Sequence, residues 1–212
     1  MTQNNLFLEI VIMRYLFFFL FFLNSIFAID LSKIQEGDII FQESESIQST
    51  AIKLATNSRY THVGIIFKYK KGFQVLEAIE PVKKTSLDEF IERGKNQHFV
   101  IKRLKNKELL TIEIIQKMKD YGNSLLGKHY DIFFNWSDKE IYCTELIWKM
   151  YFHSTKLKIG DLKTLKDFDL SSKVVKDLMR KRYGEKIPYE EPVISPVDMF
   201  ESKQLIKVME EN

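Results

Sequence analysis

Ile141-Tyr142-Cys143-Thr144-Glu145-Leu146-Ile147-Trp148 holds the only cysteine of a 212-residue chain. It follows a polar turn, Ser137-Asp138-Lys139-Glu140, and opens a segment in which Leu146, Ile147, Met150 and Tyr151 recur at helical spacing. The spacing predicts a buried helix with Cys143 in its first turn. Unpaired backbone N–H groups and the positive end of the helix dipole favour a thiolate there. That is the setting of a cysteine nucleophile. A core cysteine fits the same stretch, because free cysteine is among the most buried residue types. Other parts of the chain decide between the two.

Upstream of the turn, Tyr130 to Trp136 is aromatic and is expected to lead into the helix through a buried turn. Before it, Leu110, Ile114, Met118, Tyr121 and Leu125 form one apolar stripe, which predicts a long amphipathic helix ending at Gly127. Nearer the start, Gly37-Asp38 precede a short apolar run, Ile39-Ile40-Phe41, with the character of a buried strand. Ser46 to Thr56 carries Ile47, Ala51, Ile52 and Ala55 at helix spacing, and Asn57-Ser58-Arg59 is a loop. Tyr60 to Phe67 is rich in β-branched and aromatic residues. Lys70-Lys71-Gly72 is a turn signal, and Phe73 to Ala78 returns as the second strand of a β-hairpin. Ser86-Leu87-Asp88-Glu89 matches a capping box before a short helix, and His98 to Leu104 alternates as a strand. Beyond the cysteine segment, Ser171-Ser172 caps a helix running to about Arg182 with Val174, Val175, Leu178 and Met179 inward. Glu191 to Pro196 is extended, and a short helix at Val197 to Glu201 closes the order. With no internal repeat and no low-complexity linker, the pattern is that of one α+β domain with mostly antiparallel strands.

A hydrophobic share of 45% is enough for a full core. The net charge of +3 is spread over lysines interleaved with acids, the pattern of a solvated face, and no basic cluster with interleaved aromatics points to nucleic acid. Association with a membrane surface is a further expectation for its partners. The four histidines, His62, His98, His129 and His153, lie far apart, and one cysteine builds no thiolate cage, so no metal is expected. At the N-terminus, Arg14 precedes an apolar run from Tyr15 to Leu23, and a small residue, Ala28, follows. This is the order of a secretory signal peptide over residues 1–28, with Met13 as an alternative start, and residues 29–212 as the single domain. Export to the periplasm is expected; the other reading is an uncleaved membrane anchor, although the run is short for a span. Export favours disulfides, and a lone cysteine in an exported chain is a free thiol that is either buried or used.

A cysteine nucleophile needs a base, and the base needs an orienting group. His62 interrupts an otherwise apolar strand, where an unpaired imidazole is costly. Glu77 interrupts the returning strand in the same way. In a hairpin with an even loop, residues whose numbers sum to an odd value share a face, so His62 and Glu77 do. A loop over Lys68 to Lys71 sets them directly opposite, and one at Lys71-Gly72 sets them diagonal. A carboxylate there holds one imidazole nitrogen and fixes the tautomer. The alternatives are a satisfied core histidine and an edge-strand charge. His98 looks exposed beside Asn96-Gln97, and His129 sits in a turn. His153 lies more than two helical turns from Cys143, and Glu145 faces away from it. Asp38 is expected to cap or orient a neighbouring backbone.

Taken together, Gly37-Asp38-Ile39-Ile40-Phe41-Gln42, Tyr60-Thr61-His62-Val63-Gly64, Leu76-Glu77-Ala78-Ile79-Glu80-Pro81-Val82, Leu126-Gly127-Lys128-His129-Tyr130-Asp131 and Tyr142-Cys143-Thr144-Glu145 resemble the permuted papain-like amidases of the YiiX and YaeF type. These are relatives of the NlpC cell-wall peptidases and of lecithin–retinol acyltransferase. In that family the histidine strand precedes the cysteine helix, the reverse of papain, and the same order holds here. His129 departs from the proline expected in the turn. The resemblance implies a permuted papain-like fold, its sheet packed against the cysteine-bearing helix. It implies Cys143 as nucleophile, His62 as base, Glu77 as orienting acid, and an oxyanion hole that includes the Cys143 backbone N–H. It implies acyl transfer to water from an amide or ester, without a cofactor. A cell-envelope peptide, an N-acyl amino acid or a lipid all fit as substrate. A lipid acyltransferase or thioesterase on the same fold, or a non-catalytic envelope binding module, are the competing readings.

Overall fold

The computed structural model describes residues 29–211, so the predicted signal segment, residues 1–28, lies outside the described residues. From Lys33 onward, six strands form one antiparallel sheet: β1 (Ile39–Gln42), β2 (His62–Tyr69), β3 (Gly72–Glu77), β4 (Lys83–Ser86), β5 (Phe99–Leu104) and β8 (Leu205–Glu211). Their order is β4-β3-β2-β1-β5-β8. A two-stranded ribbon pairs β6 (Lys163–Thr164) with β7 (Pro192–Val193). The helices are α1 (Ile47–Thr56), α2 (Leu87–Glu92), α3 (Ile112–Ser124), α4 (Cys143–Thr155), α5 (Lys173–Tyr183) and α6 (Pro196–Phe200).

The period of the apolar residues explains the elements that position the site. In α4, Leu146, Ile147, Met150 and Tyr151 are all fully buried. Each such side chain stabilises the fold by about 1.5–3 kcal/mol relative to exposure. They pack in one core with Val63, Ile65 and Phe67 of β2 and Leu76 of β3. The intervening residues point the other way. On that second face Gly64 lies against Val75 and Phe90, and His62 stacks on Phe90. A Cβ at Gly64 would stand 2.2 Å from Val75 Cγ1 and 3.3 Å from Phe90 Cε2, so only glycine admits this approach.

The hairpin closes on a two-residue loop, Lys70-Lys71, with Tyr69 opposite Gly72 and Ile65 opposite Leu76. This is one residue from the two-residue loop considered above, and it sets His62 and Glu77 diagonally on one face. The cysteine helix, however, does not cover the face that His62 and Glu77 share. Its body covers the alternate face, through Leu76 and its neighbours, and meets His62 at the end of the strand. His62 is the first residue of β2, and Cys143 is the first of α4.

Two outer strands escape the sequence pattern. β4 (Lys-Lys-Thr-Ser) and β8 (Leu-Ile-Lys-Val-Met-Glu-Glu) are the sheet edges and carry the charges that blunt an edge, which erases their apolar alternation. The predicted capping box at Ser86 is half formed: its hydroxyl accepts from the Glu89 N–H, but Glu89 turns to Lys83 at 3.6 Å. The 130–136 segment is not a buried turn, because Ile132 and Phe133 are exposed. Val174 faces solvent, while Val175 and Met179 of α5 point inward. Leu110 precedes α3, whose N-cap is Thr111.

Candidate active site

Cys143 is the first residue of α4, preceded by Tyr142 in an extended conformation. Two bonds fasten this helix start to the extended segment before α6. The Thr144 hydroxyl donates to the Ile194 carbonyl at 2.6 Å, and the Ile194 N–H donates to the Tyr142 hydroxyl at 3.2 Å. The Glu145 carboxylate accepts from the Tyr142 N–H at 3.3 Å and pairs with Lys149 at 2.8 Å. It faces away from the thiol, but it is fully buried, and that burial raises its carboxyl to about 7. The thiol itself is buried and acts electrostatically on His62.

His62 Nε2 lies 2.7 Å from Glu77 Oε2, which leaves Nδ1 as the ring nitrogen for the thiol. Burial disfavours the imidazolium, yet the hydrogen bonds and charges of Cys143 and Glu77 outweigh it and raise His62 to about 9. Glu77 is fully buried. Burial alone would raise its pKa; His62, Arg93 and Thr85 reverse that and lower it to about 2. The other carboxylate oxygen, Oε1, accepts from the Thr85 hydroxyl and from Arg93 Nη2, each at 2.5 Å. Thr85 comes from β4 and Arg93 from the end of α2. An imidazole held between a thiol and a fixed carboxylate can take the thiol proton and keep the resulting charge pair.

A further side chain stands near the thiol. The Tyr130 hydroxyl shares the pocket lining with Cys143, and burial together with the charge on Cys143 pushes the phenol well above its usual range. Gln48 Nε2 donates to the same hydroxyl at 2.9 Å, and Arg182 Nη2 donates to Gln48 Oε1 at 2.5 Å. Sequence reasoning missed Tyr130, Gln48, Thr85 and Arg93. Tyr130 was one aromatic among several, and the others are ordinary polar residues of helix and edge strand. None interrupts an apolar run in the way that marks His62 and Glu77.

The remaining histidines stand elsewhere. His98 is buried rather than exposed, stacked on Tyr60 at 6.4 Å and 4.0 Å from Glu210. The β-strand that begins at Phe99 draws it inside. His129 is exposed and pairs with Glu80 at 2.7 Å, and His153 stacks on Tyr121. Asp38 holds Arg103 through both carboxylate oxygens at 2.7 Å and accepts from the Gln35 N–H, so it fastens the turn into β1.

Beside the thiol, α1 and α5 enclose an apolar pocket of about 90 Å³. Ala51, Ile52 and Ala55 form one wall, Leu178 and Met179 another, and Cys143 and Tyr130 stand in its lining.

The model of the permuted papain-like amidase family, YaeF/YiiX, C92, matches residues 33–209. The chain belongs to this family. It is 42% identical over 177 residues to the protein YiiX of Escherichia coli K12, covering 84% of this chain and 87% of that one. A solved structure described as the metalloprotein YiiX of Escherichia coli O157:H7 (DUF1105) superposes with a TM-score of 0.80 at 42% identity, over 84% of this chain and 98% of that one. The six-stranded antiparallel sheet with its cysteine helix is thus the permuted papain-like amidase fold. In this amidase-family chain, the described residues hold no group of three or more His, Cys, Asp or Glu side chains placed to bind a metal ion.

Proposed function

We propose that the protein is an exported cysteine hydrolase that cleaves an amide or ester, with Cys143, His62 and Glu77 as its triad. The observation that carries this reading is the continuous chain from the Cys143 thiol through His62 to Glu77, in which each partner stabilises the charged form of the next. The thiolate of Cys143 attacks the substrate carbonyl carbon, and the carbonyl electron pair moves to oxygen. The Cys143 backbone N–H, unpaired at the helix start, and the Tyr130 hydroxyl are the donors for that oxyanion. Collapse of the intermediate expels the amine or alcohol, which takes the proton from His62. Neutral His62 then removes a proton from water, and the hydroxide releases the acyl group from sulfur. Glu77 stays ionised throughout and stabilises the imidazolium.

The apolar pocket beside the thiol supports a substrate with an apolar acyl group, such as an N-acyl amino acid, a lipid or an apolar cell-envelope peptide. The same pocket, with a buried thiol, keeps water scarce and favours an alcohol or amine as competing acceptor, the acyltransferase reading.

The test is active-site labelling with iodoacetamide. Rapid alkylation of Cys143 at neutral pH that is lost in His62→Ala supports the enzyme. A slow thiol with the same rate in both proteins refutes it and leaves a binding module. Mass analysis of product from an octanoyl amide in mixed water and ethanolamine then separates hydrolysis from transfer. N-terminal sequencing of exported material is expected to start at or near Ile29, and intact residues 1–28 on cytoplasmic protein would refute export.

A further inference from the structure

Among the described residues, Arg182 is the one cation in the pocket lining, where the side chains are otherwise mostly apolar. It is half-buried, and burial lowers its pKa. The other arginines near buried positions have carboxylate partners: Arg93 holds Glu77 and Arg103 holds Asp38. Among the described residues Arg182 forms no salt bridge. Its hydrogen bond goes from Nη2 to Gln48 Oε1, and its guanidinium lies over Phe134 at 5.4 Å from the ring centre. Its Nε and Nη1 donors have no protein acceptor among those residues, so each can donate to an oxygen of a carboxylate or phosphate. The charge of Asp131 acts on the guanidinium without forming a salt bridge, and an anionic ligand at the free donors supplies the direct pair.

Its place decides which part of the ligand it meets. Gln48 links Arg182 to the Tyr130 hydroxyl, and Tyr130 lines the pocket with Cys143. Arg182 therefore stands two side chains from the thiol, half-buried in the pocket lining. An acyl chain lying in the apolar lining, with its carbonyl at Cys143, leaves its amine-side substituent outside. We infer that Arg182 binds an anionic group, a carboxylate or a phosphate, on the leaving half of the substrate. The substrate is then an amphipathic anion: a medium-length apolar acyl group joined by an amide to a negatively charged head. This rests on the amide-cleavage reading for the position of the carbonyl, and on Arg182 for the charge.

Binding to the Cys143→Ala protein, which cannot turn substrate over, tests this apart from catalysis. Calorimetry compares N-octanoylglycine with the neutral N-octanoylglycinamide, and N-octanoyl-O-phosphoethanolamine with N-octanoylethanolamine. Each anion is expected to bind at least about tenfold tighter than its neutral partner, as for a charged hydrogen bond. A preference confined to the glycine pair assigns a carboxylate head, and one confined to the phosphate pair a phosphorylated head. Adding Arg182→Gln is expected to abolish the preference while leaving the affinity for the neutral amides unchanged, which also shows that the pocket is intact. Arg182→Lys is expected to restore part of it. Equal affinity for anion and neutral partner in both pairs, or a preference that survives Arg182→Gln, would overturn the inference. Failure of the triad instead shows in the alkylation of Cys143, which this measurement does not use.

Discussion

Replacing Glu77 by glutamine changes one oxygen to an NH2, and the surroundings dictate which one. Arg93 can only donate, and it points at Oε1 together with Thr85. The carbonyl of the new amide must therefore take the Oε1 position, which turns the NH2 toward His62 Nε2. Neutral His62 is then forced to accept at Nε2 and to carry its proton on Nδ1, the nitrogen that should receive the thiol proton. The charge alone matters because His62 and Glu77 each stabilise the charged form of the other. The wrong tautomer deepens the loss to about 10³–10⁴-fold in kcat, the scale known for a triad whose acid becomes an amide. Two assays check this: turnover of an octanoyl amide, and the iodoacetamide rate of Cys143 against pH. Loss of the carboxylate is expected to lower the His62 pKa by about 1–3 units. The decisive variant is the double substitution Glu77→Gln with Arg93→Met. Freed from Arg93, the amide can flip its oxygen toward His62, since the Thr85 hydroxyl can also accept. Arg93→Met is thus expected to harm the wild type but to improve Glu77→Gln. An unchanged alkylation profile in Glu77→Gln, or a further loss on adding Arg93→Met, would refute the reasoning.

Tyr130→Phe removes one proposed oxyanion donor and is expected to lower kcat about 10²–10³-fold with little change in KM, measured by steady-state kinetics. Unchanged kcat would remove Tyr130 from the reaction. Glu145 has a folded-state pKa of about 7 against 4.5 unfolded, so the native state holds its proton more tightly and loses stability as pH rises between those values. Glu145→Gln keeps an acceptor for the Tyr142 N–H, so it is expected to raise Tm at pH 8, by at most about 3 kcal/mol of stability, and to change it little at pH 4. Equal shifts at both pH values would show that ionisation is not the cause. Gly64→Ala forces a Cβ to 2.2 Å from the stiff Val75 side chain and is expected to destabilise by about 1–3 kcal/mol in urea unfolding. It also presses on Phe90, which stacks on His62, so turnover is expected to fall before the protein unfolds.

The local period of the chain settled a good part of this site. A side-chain repeat of two along β2 and β3, with an even loop between them, obliges His62 and Glu77 to share a face whatever the rest of the fold does. The start of an apolar helical stripe likewise puts Cys143 at a helix N-terminus. What the period does not contain is the partner of each face. It shows that α4 has a buried side but not that this side covers Leu76 rather than Glu77. It is equally silent on pairings that span most of the chain, such as Phe99 with Glu211, which make a charged tail into an edge strand. Tyr130, Gln48 and Arg182 meet only because α1 and α5 pack together beside the start of α4. Thr85 and Arg93 meet at Glu77 only because a lysine-rich edge strand and the end of α2 close over it. Each is unremarkable along the chain, because hydrogen bonds between side chains far apart in sequence leave no local periodicity, and only the packed tertiary structure brings them within reach.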